Sequence, residues 1–171
     1  MKNLLVVSVL LSLSVLLSTG AFAEDKATPE EVYDKILQAV EVLEVLGDDG
    51  LAAFNDPKGD FVWKDTYIFI INCDTLKVAA HPKKKRIGAD ISNNRDKNPD
   101  PSKRKNHSVM MCEASRRPQG GWVDYYWTKL GSDQPFRKIS FSLQAPGTPY
   151  AVSAGIYNDE AGVNELNAQL K

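Results

Sequence analysis

The sequence predicts an α+β fold in which one N-terminal helix packs on an antiparallel sheet of about five strands. A helical pattern of apolar residues comes first, at 28–47, and five segments rich in β-branched and aromatic residues follow it. Strands that follow a helix, instead of alternating with helices, are typical of this class. The chain has 171 residues, 43% of them hydrophobic, with 21 basic residues against 22 acidic ones. This length and composition indicate one globular domain.

The first 23 residues have the pattern of an export signal. Lys2 supplies a positive start, residues 4–17 are apolar except for serines, and a small-x-small triplet ends at Ala23. The apolar stretch is shorter than the roughly 20 residues that a membrane span requires. We therefore expect a signal peptide over 1–23 and a single domain over 24–171 that is periplasmic or secreted. Retention of the apolar stretch as an uncleaved anchor is the alternative.

Residues 28–47 predict an amphipathic helix. Thr28 suits the N-cap, Pro29 suits the first helical position, and Glu31 completes a capping box. Gly47 can end the helix in the left-handed region. The apolar side repeats at helical spacing through Val32, Ile36, Ala39, Leu43 and Leu46. The other side is acidic, so we expect the helix to pack on a sheet instead of lying on an anionic membrane.

Five segments predict the strands, at 61–71, 77–81, 122–127, 137–143 and 151–157. Turn residues at 72–75 and 146–149 separate two pairs of them, and a short helix or turn at 51–54 precedes the first. Alternation would place Trp63, Tyr67 and Phe69 on one face of the first strand. In the third strand it would place Tyr125 and Trp127 together on a face that excludes Tyr126.

The middle of the chain is basic. Residues 77–117 include twelve lysines and arginines against four acidic residues, with runs at 83–86 and 103–105. No aromatic residues interleave these runs, whereas single-stranded nucleic acid needs stacking platforms. We therefore expect a solvated loop or a surface for an acidic partner, and no nucleic acid.

The motifs of common enzymes and metal sites are missing. The sequence has no glycine-rich phosphate loop and no Gly-x-Ser-x-Gly nucleophile turn. His81, His107, Cys73 and Cys112 lack the close spacing that zinc sites usually show. We therefore expect no catalytic residues, no metal and no cofactor, and a protein that is not an enzyme.

Cys73 and Cys112 are the only two cysteines, and export would place both in an oxidising compartment. Cys73 follows the first predicted strand, and Cys112 ends an apolar stretch that we expect to be helical. A helix lying across the sheet would bring the two α-carbons within bridging distance. We predict a disulfide between them; two separately buried thiols are the alternative.

Aromatic residues crowd the predicted strands together with one lysine and one histidine. Each ring singly is more simply explained as cover for the sheet. As a set they are typical of a small-ligand pocket, with rigid walls and a few convergent polar groups. A lysine facing such walls is costly to bury without a partner, so we expect an anionic ligand group. The candidate site residues are Trp63, Tyr67, His81, Tyr125, Trp127 and Lys138.

The chain resembles the family of single Cache domains of type 2. The resemblance rests on FNDPKG at 54–59, FVWKDTYIF at 61–69, AAHP at 79–82 and GGWVDYYW at 120–127, followed by Lys138 and AGIY at 154–157. It implies a PAS-like extracytoplasmic fold with a long N-terminal helix on a twisted antiparallel sheet, whose other face holds a small ligand. Members commonly bind small organic molecules, often short carboxylates, and usually form the outer part of chemoreceptors or sensor kinases. The six candidate site residues fall on matching strand positions.

Two features depart from this family. The loop after His81 carries Lys83, Lys84, Lys85 and Arg86, where relatives usually have a milder sequence, and this loop commonly helps cover the pocket. No second span or output module follows Tyr157, so we expect a membrane receptor or sensor kinase as partner. In the predicted site, Lys138 and His81 meet an anionic end of the ligand, and the aromatic rings wall its apolar part. The alternative is a protein-interaction module with a basic loop and no small ligand.

Overall fold

The structure, a computed structural model, describes residues 26–129 and 131–170. The predicted signal peptide and its cleavage site near Ala23 lie outside the described residues. The helices are α1 (Pro29–Leu46), α2 (His107–Ser115) and α3 (Val163–Gln169). The strands are β1 (Val62–Trp63), β2 (Thr66–Tyr67), β3 (Phe69–Asn72), β4 (Lys77–Ala80), β5 (Gly121–Thr128), β6 (Pro135–Gln144) and β7 (Tyr150–Ile156). Single 3₁₀ segments cover Gly47–Phe54, Lys84–Arg86 and Pro101–Lys103.

The main sheet has five antiparallel strands in the order β4-β3-β7-β6-β5. In it, β5 pairs with β6 so that Tyr125 lies opposite Lys138, and β6 pairs with β7 so that Ser142 lies opposite Ser153. β1 and β2 form a separate two-stranded hairpin. The predicted α+β class, with an N-terminal helix on an antiparallel sheet, is confirmed.

The helix α1 begins and ends where the sequence predicts. The capping box is present, because the Thr28 hydroxyl accepts from the Glu31 backbone N–H at 3.3 Å and the Glu31 carboxylate accepts from the Thr28 N–H at 3.0 Å. Gly47 follows with a φ of 54°. Four of the five predicted apolar positions are buried, but Leu46 in the last turn is 54% exposed, so its predicted burial is wrong.

The predicted strand at 61–71 is three strands, so its prediction as one strand is wrong. The chain turns at Lys64, whose φ is 46°, and β1 then pairs back on β2. Two contacts hold this turn against the start of α1: the Asp65 carboxylate accepts from the Ala27 N–H at 3.0 Å, and the Lys64 ammonium lies 2.6 Å from Glu31. The predicted alternation therefore holds only after the turn.

The two faces of the main sheet bury different sets of residues. The face that we call the α1 face has an apolar centre that packs against α1; it includes Trp122, Ile139, Phe141, Val152, Ala154 and Ile156. The opposite face, the α2 face, packs against α2 and the loop that precedes it; its apolar residues include Tyr67, Phe69, Ile71, Val123, Tyr125 and Ala151. Helix α3 had no counterpart in the sequence prediction.

The predicted disulfide is present. Cys73 and Cys112 are bonded, with their α-carbons 5.7 Å apart across 39 residues of sequence. Cys73 follows β3, and Cys112 lies in the middle of α2, so the bridge holds α2 against the α2 face of the sheet.

Candidate ligand-binding site

The site begins with the alternation of side chains along β6. Lys138, Ser140 and Ser142 point to the α2 face, and Ile139 and Phe141 point to the α1 face; all five are 0% exposed. The two serines have partners, since Ser140 bonds the Tyr125 hydroxyl at 3.0 Å and Ser142 bonds Ser153 at 2.7 Å. The lysine is the member of this row that needs an explanation.

The Lys138 ammonium lies among aromatic rings. Its Nζ is 4.5 Å from the centre of the Tyr67 ring, 4.9 Å from that of Tyr157 and 5.6 Å from that of Phe69. Ring faces attract a cation, but they do not replace the three hydrogen bonds that an ammonium can donate. In the part of the chain that the structure describes, Nζ has no hydrogen-bond acceptor. It can therefore donate to an oxygen atom brought by another molecule.

Burial lowers the pKa of Lys138 to about 7, because the charged form has lost its water. The Asp65 carboxylate raises this pKa and the positive charge of Lys83 lowers it, both by smaller amounts. Asp65 is itself 7% exposed, and its second oxygen lies 4.0 Å from the Lys129 ammonium. The ammonium of Lys138 is thus present at and below neutral pH.

His81 lies beside this lysine as a neutral ring. Its ring centre is 4.9 Å from that of Tyr67, and its Nδ1 accepts a hydrogen bond from the Lys83 N–H at 2.8 Å. Burial, together with the smaller effects of the positive charges of Lys138, Arg86 and Lys83, lowers the pKa of His81 to about 3. Because Nδ1 is an acceptor here, the proton of the neutral ring is on Nε2. His81 can therefore donate a hydrogen bond without carrying a charge.

A cavity of about 30 Å³ lies between the α2 face and the chain that covers it. At roughly 10–15 Å³ for each water molecule, it has room for about two. The sheet supplies its floor and the first turn of α2 supplies part of its cover. It is lined by Tyr67, Phe69, Ile71, Val78, Arg86, Ile91, His107, Ser108, Met111, Tyr125 and Trp127.

His107 covers the aromatic end of this cavity. Its ring stacks on Tyr125, with centres 4.6 Å apart and planes 19° apart, and lies 4.8 Å from the Trp127 ring. Burial lowers the pKa of His107 to about 4, and its Nδ1 has no hydrogen-bond partner among the described residues. The same burial raises the pKa of the Tyr125 phenol, so both rings are neutral at physiological pH.

The structure brings five of the six sequence-predicted site residues together. Tyr67, Tyr125 and Trp127 line the cavity, Lys138 lies against the Tyr67 ring, and the His81 ring packs at a tilt against the same ring. The sixth lies elsewhere, because the turn at 64–65 sends Trp63 to the core of the α1 face. Tyr126 does not line the cavity, as the alternation in β5 predicts.

Sequence reasoning missed three residues of the site. Arg86 belongs to the loop that the sequence analysis expected to cover the pocket, but nothing distinguished it from the lysines before it. His107 was considered only as a metal ligand, and Tyr157 only as one ring of a crowded sheet. Within the described ranges, no group of three or more His, Cys, Asp or Glu side chains could hold a metal ion.

A larger groove of about 470 Å³ lies on the opposite side of the sheet, beside Tyr33, Trp122, Leu166 and Leu170. It is open and mostly apolar. None of the buried unpaired polar atoms of the described residues belongs to its lining. The chemistry therefore favours the smaller cavity as the site, although the groove is the larger space.

The Cache domain family model matches residues 25–162. The chain belongs to the Cache domain family. Cache domains are sensory ligand-binding modules, and the likeness to single Cache domains that the sequence showed is thereby confirmed at the level of the family. No helix among the described residues of this Cache domain is long and apolar enough to cross a membrane.

Solved structures of chemotaxis sensors share the fold of this Cache domain. A methyl-accepting chemotaxis protein from Vibrio parahaemolyticus RIMD 2210633 superposes with a TM-score of 0.61 at 16% identity, over 77% of this chain and 88% of its own. The periplasmic sensor domain of a chemotaxis protein gives 0.59 at 25% identity, over 76% and 92%. A Cache chemosensory domain described for its carboxylic acid recognition gives 0.53 at 23% identity, over 74% and 86%. The family match and the periplasmic sensor domain at 25% identity support an extracytoplasmic ligand-sensing role, and the other two neighbours show the fold.

Proposed function

We propose that this Cache domain is a periplasmic sensor that binds a short carboxylate in the cavity of the α2 face and works with a membrane signalling partner. The observation that carries the proposal is the Lys138 ammonium, which is fully buried and has no hydrogen-bond acceptor in the described chain. A buried cation without such a partner is costly, and a carboxylate is the ligand group that offsets this cost most directly.

The neighbours of Lys138 suit a carboxylate with a small apolar part. His81 offers a neutral N–H, so it can bind one carboxylate oxygen without repelling the lysine. The rings of Tyr67, Tyr125 and Trp127 form the remaining wall. Trp63 has no place in this proposal, because it packs on the other face of the sheet.

The size of the cavity limits the ligand. About 30 Å³ accommodates a group the size of two water molecules, so formate and acetate are the probes that fit with least movement of the walls. Longer acids require the cover over the cavity to open. The carboxylic acid recognition attributed to one neighbouring Cache domain agrees with this ligand class, and the chemotaxis proteins among the neighbours agree with a signalling partner.

Isothermal titration calorimetry with sodium acetate tests the proposal, with acetamide as the neutral control of the same shape. We expect acetate to bind and acetamide to bind far more weakly. Lys138→Met should weaken acetate binding by about 1.5–3 kcal/mol, the range for a hydrogen bond to a charged group. Lys85→Met is the matched control, because Lys85 is an exposed lysine of the nearby loop.

Two results would count against a carboxylate site. Equal affinity for acetate and acetamide would show that the negative charge of the ligand does not contribute to binding. Unchanged acetate binding in a folded Lys138→Met variant would show that Lys138 does not bind the ligand. The alternative, an interaction module with a basic loop and no small ligand, rests on the twelve basic residues of 77–117. It predicts that no short acid binds and that thermal unfolding is unchanged by any of them.

A further inference from the structure

Arg86 is the second cation at the cavity. It ends the 3₁₀ turn Lys84–Arg86, directly after the strand that leads to His81, and its side chain lines the cavity. Its guanidinium carbon lies 5.3 Å from the centre of the Trp127 ring. The side chain is therefore placed over an aromatic wall of the proposed ligand site, and not in open solvent.

The Arg86 guanidinium has no anionic partner among the residues that the structure describes. Salt bridges in the described ranges use other cations, and no side-chain hydrogen bond from Arg86 reaches a carboxylate or a carbonyl. A guanidinium carries five N–H donors in a planar fork that matches the two oxygens of a carboxylate. Cation–π contact with Trp127 uses the face of that fork and leaves its edge available.

The turn that carries Arg86 is held by its own hydrogen bonds. The Arg86 N–H donates to the Lys83 carbonyl at 2.8 Å, and the Gly88 N–H donates to the Val78 carbonyl at 2.8 Å, which ties the turn to β4. The Lys83 N–H in turn donates to His81. The backbone that carries Arg86 is thus held before any ligand arrives, and the contact with Trp127 places the guanidinium, which lowers the entropy lost on binding.

The lining of the cavity contains no acidic side chain. Its charged group is Arg86, and the Lys138 ammonium lies 4.5 Å from the centre of the Tyr67 ring, which also lines the cavity. One cation in the lining of a cavity of about 30 Å³ and a second cation against its wall favour a ligand whose charge is concentrated in one small anionic group.

We propose that Arg86 is a specificity-determining residue of this site, and that its guanidinium binds the same carboxylate as Lys138. This inference rests on the proposed function. It selects short monocarboxylates over amines and neutral amides, because a cation would face two positive charges and an amide would leave the N–H donors unpaired. Within the basic run at 83–86, Arg86 is then the residue that binds the ligand.

Calorimetric titration with sodium acetate at pH 6.5 tests this role, because Lys138 is protonated at that pH. Arg86→Met should weaken acetate binding about 10-fold to 100-fold and leave weak acetamide binding unchanged. Arg86→Lys keeps the charge but loses the planar fork of donors. We therefore expect its acetate affinity to lie between that of the wild type and that of Arg86→Met. Lys85→Met, one residue earlier in the same turn, should change acetate binding less than twofold.

The outcomes separate the two proposals. Lost acetate binding in Lys138→Met with unchanged binding in a folded Arg86→Met variant would overturn the role of Arg86 and leave the carboxylate site intact. Unchanged binding in both variants would overturn both proposals. An equal loss of acetate affinity in Lys85→Met and Arg86→Met would indicate general electrostatic attraction by the basic loop, and it would also overturn the specific role of Arg86. Thermal unfolding without acetate checks that each variant is folded.

Discussion

The two faces of β6 differ in what they bury, although they belong to the same strand. On the α1 face, Ile139 and Phe141 lose only apolar surface to the core. On the α2 face, Lys138 loses the water around its charge, which costs free energy unless another group replaces it. One face therefore serves the stability of the fold, and the other retains a group whose burial is costly unless a ligand is bound.

The same difference appears in how each face is covered. α1 covers its face with a row of apolar side chains and an N-terminus closed by a capping box. The α2 face is covered by three buried apolar residues of α2, by the disulfide, by the stacked His107 and by the separate turn Lys84–Arg86. A cover with fewer apolar contacts opens at lower free energy, as binding sites require. The predictions below test this contrast, from the largest effect to the smallest.

Phe141→Ala should lower the free energy of unfolding by about 3–5 kcal/mol, the usual cost of removing a buried phenylalanine. Its ring packs 5.2 Å from that of Tyr33 and 5.3 Å from that of Trp122. Urea denaturation measures the change. Phe136→Ala is the matched control on the same strand, because Phe136 is 41% exposed, and it should cost far less.

Lys138→Met should have the opposite effect in the same denaturation experiment. Lys138 is a buried cation without a hydrogen-bond acceptor among the described residues, and replacing it by an apolar side chain of similar length should leave stability unchanged or raise it. If Lys138→Met is as destabilising as Phe141→Ala in the absence of ligand, the α2 face is a structural core like the α1 face. The contrast between the two faces would then be wrong.

Replacing both cysteines by serine should lower the free energy of unfolding by about 2–4 kcal/mol, because the bridge closes a loop of 39 residues. Acetate affinity should fall as well, since the bridge holds α2 over the cavity. Adding a reductant to the wild type should reproduce both losses and should change nothing in the double variant. Intact acetate binding after a full loss of the bridge would show that α2 does not need it.

The pH dependence should report Lys138. Acetate affinity should be constant below about pH 7 and fall by up to tenfold per pH unit above it, as the ammonium loses its proton. The stability of the unliganded protein should move the other way. The unfolded chain binds the proton up to the ordinary pKa of 10.5 and the folded chain only up to about 7, so the free energy of unfolding rises with pH between these values.

The titratable neighbours His81, His107 and Tyr67 do not change protonation state in the pH range in which Lys138 titrates. Burial holds the pKa of His81 and of His107 far below it, at about 3 and about 4, and raises that of Tyr67 to about 12. Titrating Lys138→Met by calorimetry between pH 6 and 9 is the control, and its weak residual binding should not vary with pH. A variant that kept the wild-type pH profile would assign the titration to another group.

Prediction from the sequence was most successful where the signal was local. The capping box at Thr28 and Glu31 lies within four residues, and the helix begins there. Alternation in β5 placed Tyr125 and Trp127 on one face, because a side chain changes face at every residue of an unbroken strand. The disulfide followed from the number of cysteines and the expected compartment.

Prediction failed where a single turn, not recognised in the sequence, changed the face on which a neighbouring side chain lies. The turn at Lys64 and Asp65 reverses the chain, so Trp63 leaves the face that a continuous strand would have given it. Asp65 is held there by the N–H of Ala27, which is 38 residues away in sequence. No pattern in 61–71 contains that contact.

The sequence by itself determined the class of the fold, the first helix, the alternation that buries Lys138 and the pairing of the two cysteines. Each depends on periodicity, capping or composition, which act between near neighbours or on the chain as a whole. Only the tertiary structure decided that Lys138 lacks an acceptor among the described residues, that Arg86 faces the cavity and that His107 covers it. These facts depend on how distant segments pack around one small space, and the free energies of such contacts are not encoded in local spacing.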